Sequence, residues 1–271
     1  MNRREVMAPA AGLALLAAAS PAAAQTRAQE AGIGTLDRII RDKKIRVTAE
    51  VTSPPFGILG RDGQPDGSEI ATARQLAKDL GVEVDFVQVT APQRIPALLA
   101  GRADVAISSL SITHDRAKTV MFASPHGALS IVIAGPQRTQ ITSAADMAGK
   151  RIGLTRATLE EATVPGIAPQ GTNIVFFDDI AATIQAMLSG QVDAAGMSAF
   201  AAKSVADRNP RAGIESKFTV RTAFYGAAIK PGDFDLLQFV NTWVFLNKQS
   251  GVLGRIYEEK TGVSLPELPV I

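Results

Sequence analysis

Short apolar runs of strand length alternate along this chain with longer segments whose apolar residues recur at helical spacing. The run "IRVTAE" (45–50) predicts a buried strand. In "GSEIATARQLAKDLG" (67–81), Ile70, Ala73, Leu76, Ala77 and Leu80 share a helical face and Gly81 supplies a stop. "VEVDFVQV" (82–89), "PQRIPALLAG" (92–101) and "ADVAIS" (103–108) then predict strand, helix and strand. That alternation predicts a parallel sheet covered by helices. Pro96 fits the second helix only in its first turns, where a missing N–H is tolerated.

The pattern restarts with "KRIGLT" (150–155) as a strand, "LEEATV" as a helix start, "NIVFF" (173–177) as a strand, "DIAATIQAMLSG" (179–190) as a helix and "VDAAGM" (192–197) as a strand. The stretches "IPALLAGRADVAIS" and "IQAMLSGQVDAAGMS" match position by position, each with a glycine (Gly101, Gly190) and then an aspartate (Asp104, Asp193) entering the strand. A helix-to-strand turn favours glycine in any case. The match nonetheless predicts two α/β lobes of similar build. The apolar strands "SIVIAG" (130–135) and "YGAAIK" (225–230) are expected to cross between them, giving one lobe from 34–127 with 226–271 and another from 128–225. "FDLLQFVNTWVFLNKQSG" and "VLGRIYEEKTG" read as amphipathic helices packing back on the first lobe, with Trp243 and Tyr257 in the core.

The N-terminus changes the length available to the fold. Residues 1–24 have basic Arg3 and Arg4, an Ala/Leu-rich stretch and a small-x-small end at Ala22–Ala24, which together read as an export signal cleaved before Gln25. Its apolar stretch is shorter than the roughly 20 residues of a spanning helix. The paired arginines with Glu5, Val6 and Met7 fit a twin-arginine signal, and a general secretory signal fits as well. The 247 residues left of 271 suffice for two modest lobes. Without Arg3, Arg4 and Glu5 the balance is 26 basic to 25 acidic residues, so no global field for nucleic acid exists. With no cysteine there is neither a disulfide framework nor a lipid-modified N-terminal cysteine, and a free periplasmic protein is expected.

Candidate chemistry collects in "SSLSITHDR" (108–116), directly after the apolar "ADVAI". In open parallel sheets small molecules bind beyond the carboxyl ends of the strands. Thr113 followed by Arg116 fits a helix start, so hydroxyls, free amides and a guanidinium can converge on one anion. A charge-assisted bond to a carboxylate contributes about 1.5–3 kcal/mol away from water. The alternative is a capped surface helix with a solvated arginine; His114 reads as solvent-exposed. Catalytic signatures are sparse: there is no paired-histidine zinc motif and no cysteine nucleophile, "GMSAF" (196–200) lacks the second glycine of a nucleophile elbow, and "AGKR" (148–151) lacks the first glycine of a phosphate loop. No metal or cofactor is expected.

The chain resembles the polar amino acid-binding family (family 3) of bacterial periplasmic solute-binding proteins, the soluble receptors of ABC importers. The resemblance covers 36–262 and is carried by "PPF" (54–56), "DGQPDGSEIATARQLAKDLG" (62–81), "IPALLAGRADVAISSLSITHDRAK" (95–118), "FASP" (122–125), "DMAGKRIGL" (146–154), "LSGQVDAA" (188–195) and "SGVLGRIYEE" (250–259). It implies a two-lobed type II periplasmic binding fold, each lobe a mixed, mainly parallel sheet flanked by helices, joined by a two-strand hinge that closes on a ligand. It also implies a carboxylate-bearing ligand, a membrane permease as partner and a monomer. Ligand contacts are implied at Ser109, Ser111 and Arg116, with Ser108 beside them, Arg116 holding the α-carboxylate. Thr158 takes the place of a threonine from the second lobe, and Thr158 with Glu161 also spells a capping box.

Departures from the family pattern bear on the ligand. Ser53 and Ala91 stand where aromatic or large residues usually sandwich the ligand side chain. Ser198 stands where many members have an aspartate for the α-ammonium, and Ala157 replaces a glycine. Arg156 replaces a more neutral neighbour, while Glu50 occupies a position where relatives with basic ligands use an acid. His126 follows "FASP", where relatives often turn a tyrosine toward the cleft. Glu50, Arg156 and His126 are therefore candidate cleft residues. Periplasmic cyclohexadienyl dehydratases share the architecture, so an enzyme gripping two carboxylates through Arg116 and Arg156, with Glu50 or His126 as proton donor, is one alternative. A ligand-sensing partner of a membrane kinase is another.

Overall fold

The computed structural model describes residues 34–269, so the export-signal reading of 1–24 lies outside the described residues. From Thr35 onward the chain forms one unit. Helix α1 (Thr35–Asp42) leads into β1 (Lys44–Ala49), whose alternate residues Ile45, Val47 and Ala49 are fully buried. Three short strands, β2 (Thr52–Ser53), β3 (Gly57–Leu59) and β4 (Pro65–Asp66), pair antiparallel before α2 (Ser68–Leu80) and β5 (Glu83–Gln88). A 3₁₀ turn at Ala91–Gln93 runs into α3 (Arg94–Leu99), which places Pro96 third in the helix, where no helical N–H partner is lost. After β6 (Val105–Ala106) come α4 (His114–Ala117) and β7 (Met121–Phe122).

The second half opens with the long strand β8 (Gly127–Pro136), followed by β9 (Arg151–Thr155), α5 (Leu159–Ile167), β10 (Asn173–Phe177), α6 (Ile180–Leu188), β11 (Ala194–Ser198), α7 (Ala199–Arg208) and β12 (Ile214–Tyr225). The chain then returns through β13 (Ala228–Ile229) to α8 (Phe234–Gln249) and α9 (Val252–Thr261). α8 packs on α1, and α9 on α2. Trp243 and Tyr257 are both buried: the Trp243 indole donates to Asp79 at 2.7 Å, and the Tyr257 hydroxyl to the Ala128 carbonyl at 2.8 Å.

Two five-stranded sheets result, in the orders β5-β1-β6-β13-β7 and β10-β9-β11-β8-β12. Each has two parallel pairings at one end and two antiparallel pairings at the other, so the sheets are mixed and topologically alike. The matched sequence stretches have a common physical reason. The Asp104 carboxylate accepts from the backbone N–H and guanidinium of Arg46, and Arg46 also donates to the Gly101 carbonyl. Asp193 takes the backbone and guanidinium of Arg151 in the same way, and Arg151 donates to the Gly190 carbonyl. Gly101 and Gly190 both have left-handed backbones (φ 68° and 78°), which glycine adopts without steric cost. Each clamp staples a helix end to the start of the neighbouring parallel strand.

One expectation is corrected. "SIVIAG" (130–135) is the interior of β8, bonded to β11 on one side and β12 on the other. The chain passes between the sheets just earlier, at residues 123–126, and returns at 226–227, inside "YGAAIK". The two passing segments bond to each other, Ala123 N–H to the Ala227 carbonyl at 2.9 Å and His126 N–H to the Tyr225 carbonyl at 3.1 Å. Among the described residues no helix is long and apolar enough to cross a membrane.

Candidate functional site

The carboxyl ends of parallel strands from both sheets converge on one cavity. β1 delivers Glu50, the turn after β6 delivers Ser109 and Ser111, β9 delivers Thr155 and Thr158, and β11 ends in Ser198. A water molecule's centre can move through only about 40 Å³ of it, so the space is small.

Thr113 caps α4, its hydroxyl accepting the Arg116 N–H at 3.2 Å. The half-buried Arg116 guanidinium donates to the Ser111 carbonyl at 2.8 Å and, across the cavity mouth, to the Ala157 carbonyl at 2.8 Å. Arg94, on the buried face of α3, donates to the carbonyls of Ala91 at 3.0 Å, Ser108 at 3.1 Å and Ala157 at 3.0 Å. Two guanidinium groups held by one sheet's elements therefore meet one carbonyl at the end of the other sheet. Burial and the neighbouring Arg94 charge bring the Arg116 pKa down to about 10, against the opposing pull of Glu160 and Glu50.

Two buried carboxyls face these cations. Glu50 Oε2 lies 3.3 Å from Arg94 Nη1, within ion-pair range, yet neither Glu50 oxygen has a hydrogen-bond partner. Burial pushes the Glu50 carboxyl above the usual carboxylate range, Glu160 adding to this while Arg94 and Arg116 oppose it. Burial likewise pushes Glu160 up, its own backbone N–H and the Thr158 hydroxyl opposing. A buried carboxylate without hydrogen bonds is costly, so Glu50 presents unmet acceptor capacity to whatever enters.

Of the sequence candidates, Glu50, Ser53, Ser109, Ser111, Arg116, Thr158 and Ser198 line the cavity. Ser108 stands behind its wall, its hydroxyl 3.2 Å from that of Thr48. Ala91 does not line this cavity; it lines a neighbouring groove shared with Arg116 and Ala157. Arg156 is placed away from the cleft: it lies over the Phe176 ring at 5.1 Å and 3.4 Å from Asp178, because strand alternation sends the residue after inward-facing Thr155 to the opposite face. His126 is buried outside the cavity wall, its Nε2 drawn to Glu69 Oε1 at 3.0 Å. Thr158 caps α5, accepting the Glu161 N–H at 3.3 Å, but Glu161 reaches the Ala157 N–H one residue before the cap instead of closing a capping box.

Arg94, Glu160 and Phe56 also line the cavity and escape the sequence reading. For Arg94 a signal exists, since it shares the face of Ala97 and Leu98 at helical spacing. Glu160 similarly precedes Val164 by four residues on the buried side of α5.

The profile of the bacterial extracellular solute-binding proteins, family 3, matches residues 45–262. The L-cystine-binding protein TcyJ of Escherichia coli (strain K12) is 29% identical over 236 residues, covering 86% of this chain and 88% of that protein. The structure of an ancestral arginine-binding protein bound to glutamine superposes with a TM-score of 0.77 at 32% identity, covering 82% of this chain and 99% of that one. The ancestral amino acid-binding protein AncCDT-1, a precursor of cyclohexadienyl dehydratase, gives 0.76 at 30%, covering 84% and 99%.

Proposed function

This chain belongs to the bacterial extracellular solute-binding proteins, family 3, and from that premise we propose that it captures a polar amino acid between two lobes and delivers it to an ABC permease. Residues 34–127 with 226–271 form the first lobe, and 128–225 the second. Arg116 receives the α-carboxylate, aided by Ser109, Ser111 and Thr158. Glu50 accepts from an ammonium, the role for which Ser198 supplies only a neutral hydroxyl. The observation that carries this reading is that one cavity is lined both by a half-buried guanidinium, that of Arg116, and by a buried carboxyl, that of Glu50, with no hydrogen bond of its own. An amino acid offers a complementary charge to each. The names of the relatives, which bind cystine, arginine and glutamine, agree in ligand class. The protein acts in the periplasm as a monomer, and closure follows from ligand contacts made by both lobes.

A thermal-shift screen of L-amino acids, dicarboxylates and amines tests the proposal. At least one L-amino acid is expected to raise the melting temperature. Arg116→Ala is expected to weaken its binding by about 100-fold, since a buried charge-assisted contact to each of two carboxylate oxygens is lost. Stabilisation by amines or dicarboxylates alone, or full affinity in the variant, overturns the assignment. A second reading draws on the upward-shifted Glu50 carboxyl, a group able to donate a proton beside two guanidiniums. Incubation with prephenate or arogenate distinguishes it: aromatic product replaces the receptor with a dehydratase.

A further inference from the structure

Ser109, which lines the cavity, has a left-handed backbone (φ 47°) that residues other than glycine adopt at a cost. Such a conformation persists only where its surroundings hold it. The hold on its amide is the Glu69 carboxylate, which accepts the Ser109 N–H at 2.6 Å. On the other side of the same turn, Arg94 takes the Ser108 carbonyl. Glu69, the second residue of α2, is buried, and its other oxygen lies 3.0 Å from His126 Nε2. A carboxylate facing a ring nitrogen accepts, so Nε2 carries the proton.

His126 belongs to the segment that passes between the sheets. Its backbone N–H is bonded to the Tyr225 carbonyl on the returning segment, and its ring meets the Tyr225 ring edge-on at 5.1 Å and 83°. Nδ1 is buried without a hydrogen bond, so the bond to Glu69 is the polar hold that orients the imidazole. Neither Glu69 nor His126 lines the cavity.

We propose that Glu69 and His126 form a positioning pair, in which the crossing segment holds Glu69 and Glu69 holds the Ser108–Ser109 turn in its ligand-facing conformation. The pair assigns to His126 a role two hydrogen bonds removed from the ligand-facing Ser109. Because the bond chain runs from the passing segment to the pocket lining, a change in the geometry of that crossing reaches the seat without passing through the ligand. The proposal rests on the cavity being the ligand seat.

The full-length mature protein is compared as wild type, His126→Phe, which keeps a ring but removes the donor, and His126→Gln, which restores an N–H at similar reach. Hydrogen exchange of the Ser109 amide is measured without ligand. Thermal shift is measured with a millimolar mixture of the standard L-amino acids and L-cystine. In His126→Phe, exchange at Ser109 is expected to rise about tenfold, as for loss of one charge-assisted bond, with the ligand-induced shift reduced, and His126→Gln is expected to restore both. Wild-type exchange at Ser109 in His126→Phe, or failure of His126→Gln to restore it, overturns the pair. If His126→Phe does not fold, Glu69→Gln, which leaves only a neutral acceptor for Ser109, is expected to raise the same exchange, and unchanged exchange overturns the pair. Arg116→Ala separates the two levels. Should it lose the thermal shift while His126→Phe keeps both readouts, the seat stands and the pair falls. Should it keep the shift, the seat falls with the ligand-positioning role, and the exchange data report only on the turn.

Discussion

At Ala157 a left-handed backbone (φ 57°) turns one carbonyl oxygen toward the guanidiniums of both Arg94 and Arg116. A non-glycine residue in that region costs about 1–2 kcal/mol, which two charge-assisted bonds can offset. Glu50 stands in the opposite condition, buried and without hydrogen bonds. Because burial raises its pKa, the folded protein holds the Glu50 proton to higher pH than the unfolded chain does. Stability from this group is therefore lost as pH rises from the ordinary carboxylate value through the raised one. Glu50→Gln is expected to raise the ligand-free melting temperature near neutral pH by about 2–4 °C per kcal/mol relieved, the gain vanishing near pH 4. Scanning calorimetry across that range checks it, and no gain at neutral pH refutes it. Glu50 is legible only through the family resemblance, since its position at the end of an apolar strand reads equally as an exposed strand terminus, whereas the side chain is buried. Arg156 misleads because its proximity to Thr158 in sequence says nothing of which strand face it takes.

The paired clamps turn a sequence match into a difference of magnitude between elements. Asp104 has a side chain only 2% exposed and serves both Arg46 and Arg38, whereas the Asp193 side chain is 30% exposed and serves Arg151. Breaking a buried ion pair costs about 3–5 kcal/mol, whereas an exposed one contributes about 0–1 kcal/mol. Urea titration is expected to find Asp104→Ala destabilised by about 3 kcal/mol or more and Asp193→Ala by about 1 kcal/mol, and equal losses would contradict this account. The Arg151 hydrogen bond holds Asp193 below its usual range, so its small contribution is present at neutral pH and fades as pH falls below the ordinary aspartate value. The alternation of elements, and the helix–glycine–aspartate–strand match, are visible in the sequence because periodicity and turn chemistry act locally. The error at "SIVIAG" has an equally local cause: a continuous apolar run looks the same in a strand that crosses between sheets and in one covered on both faces.

For the whole molecule, what the sequence could not supply is juxtaposition. Arg94 and Ala157 are 63 residues apart and meet only when the two sheets face each other. The passing segments set that arrangement, and directly after the first of them, at the start of β8, Gly127 packs so tightly that a Cβ there would overlap the Tyr225 ring. Gly127→Ala is expected to destabilise the fold by about 1–3 kcal/mol through overpacking and to shift the ligand-free angle between lobes, read by small-angle scattering. An unchanged melting temperature and scattering profile would count against it. The bonds that join residues 123–126 to 225–227 have a mechanical corollary. Two ropes tied side by side resist sliding past one another, so these bonds hold the outgoing and returning segments in a single register where they cross.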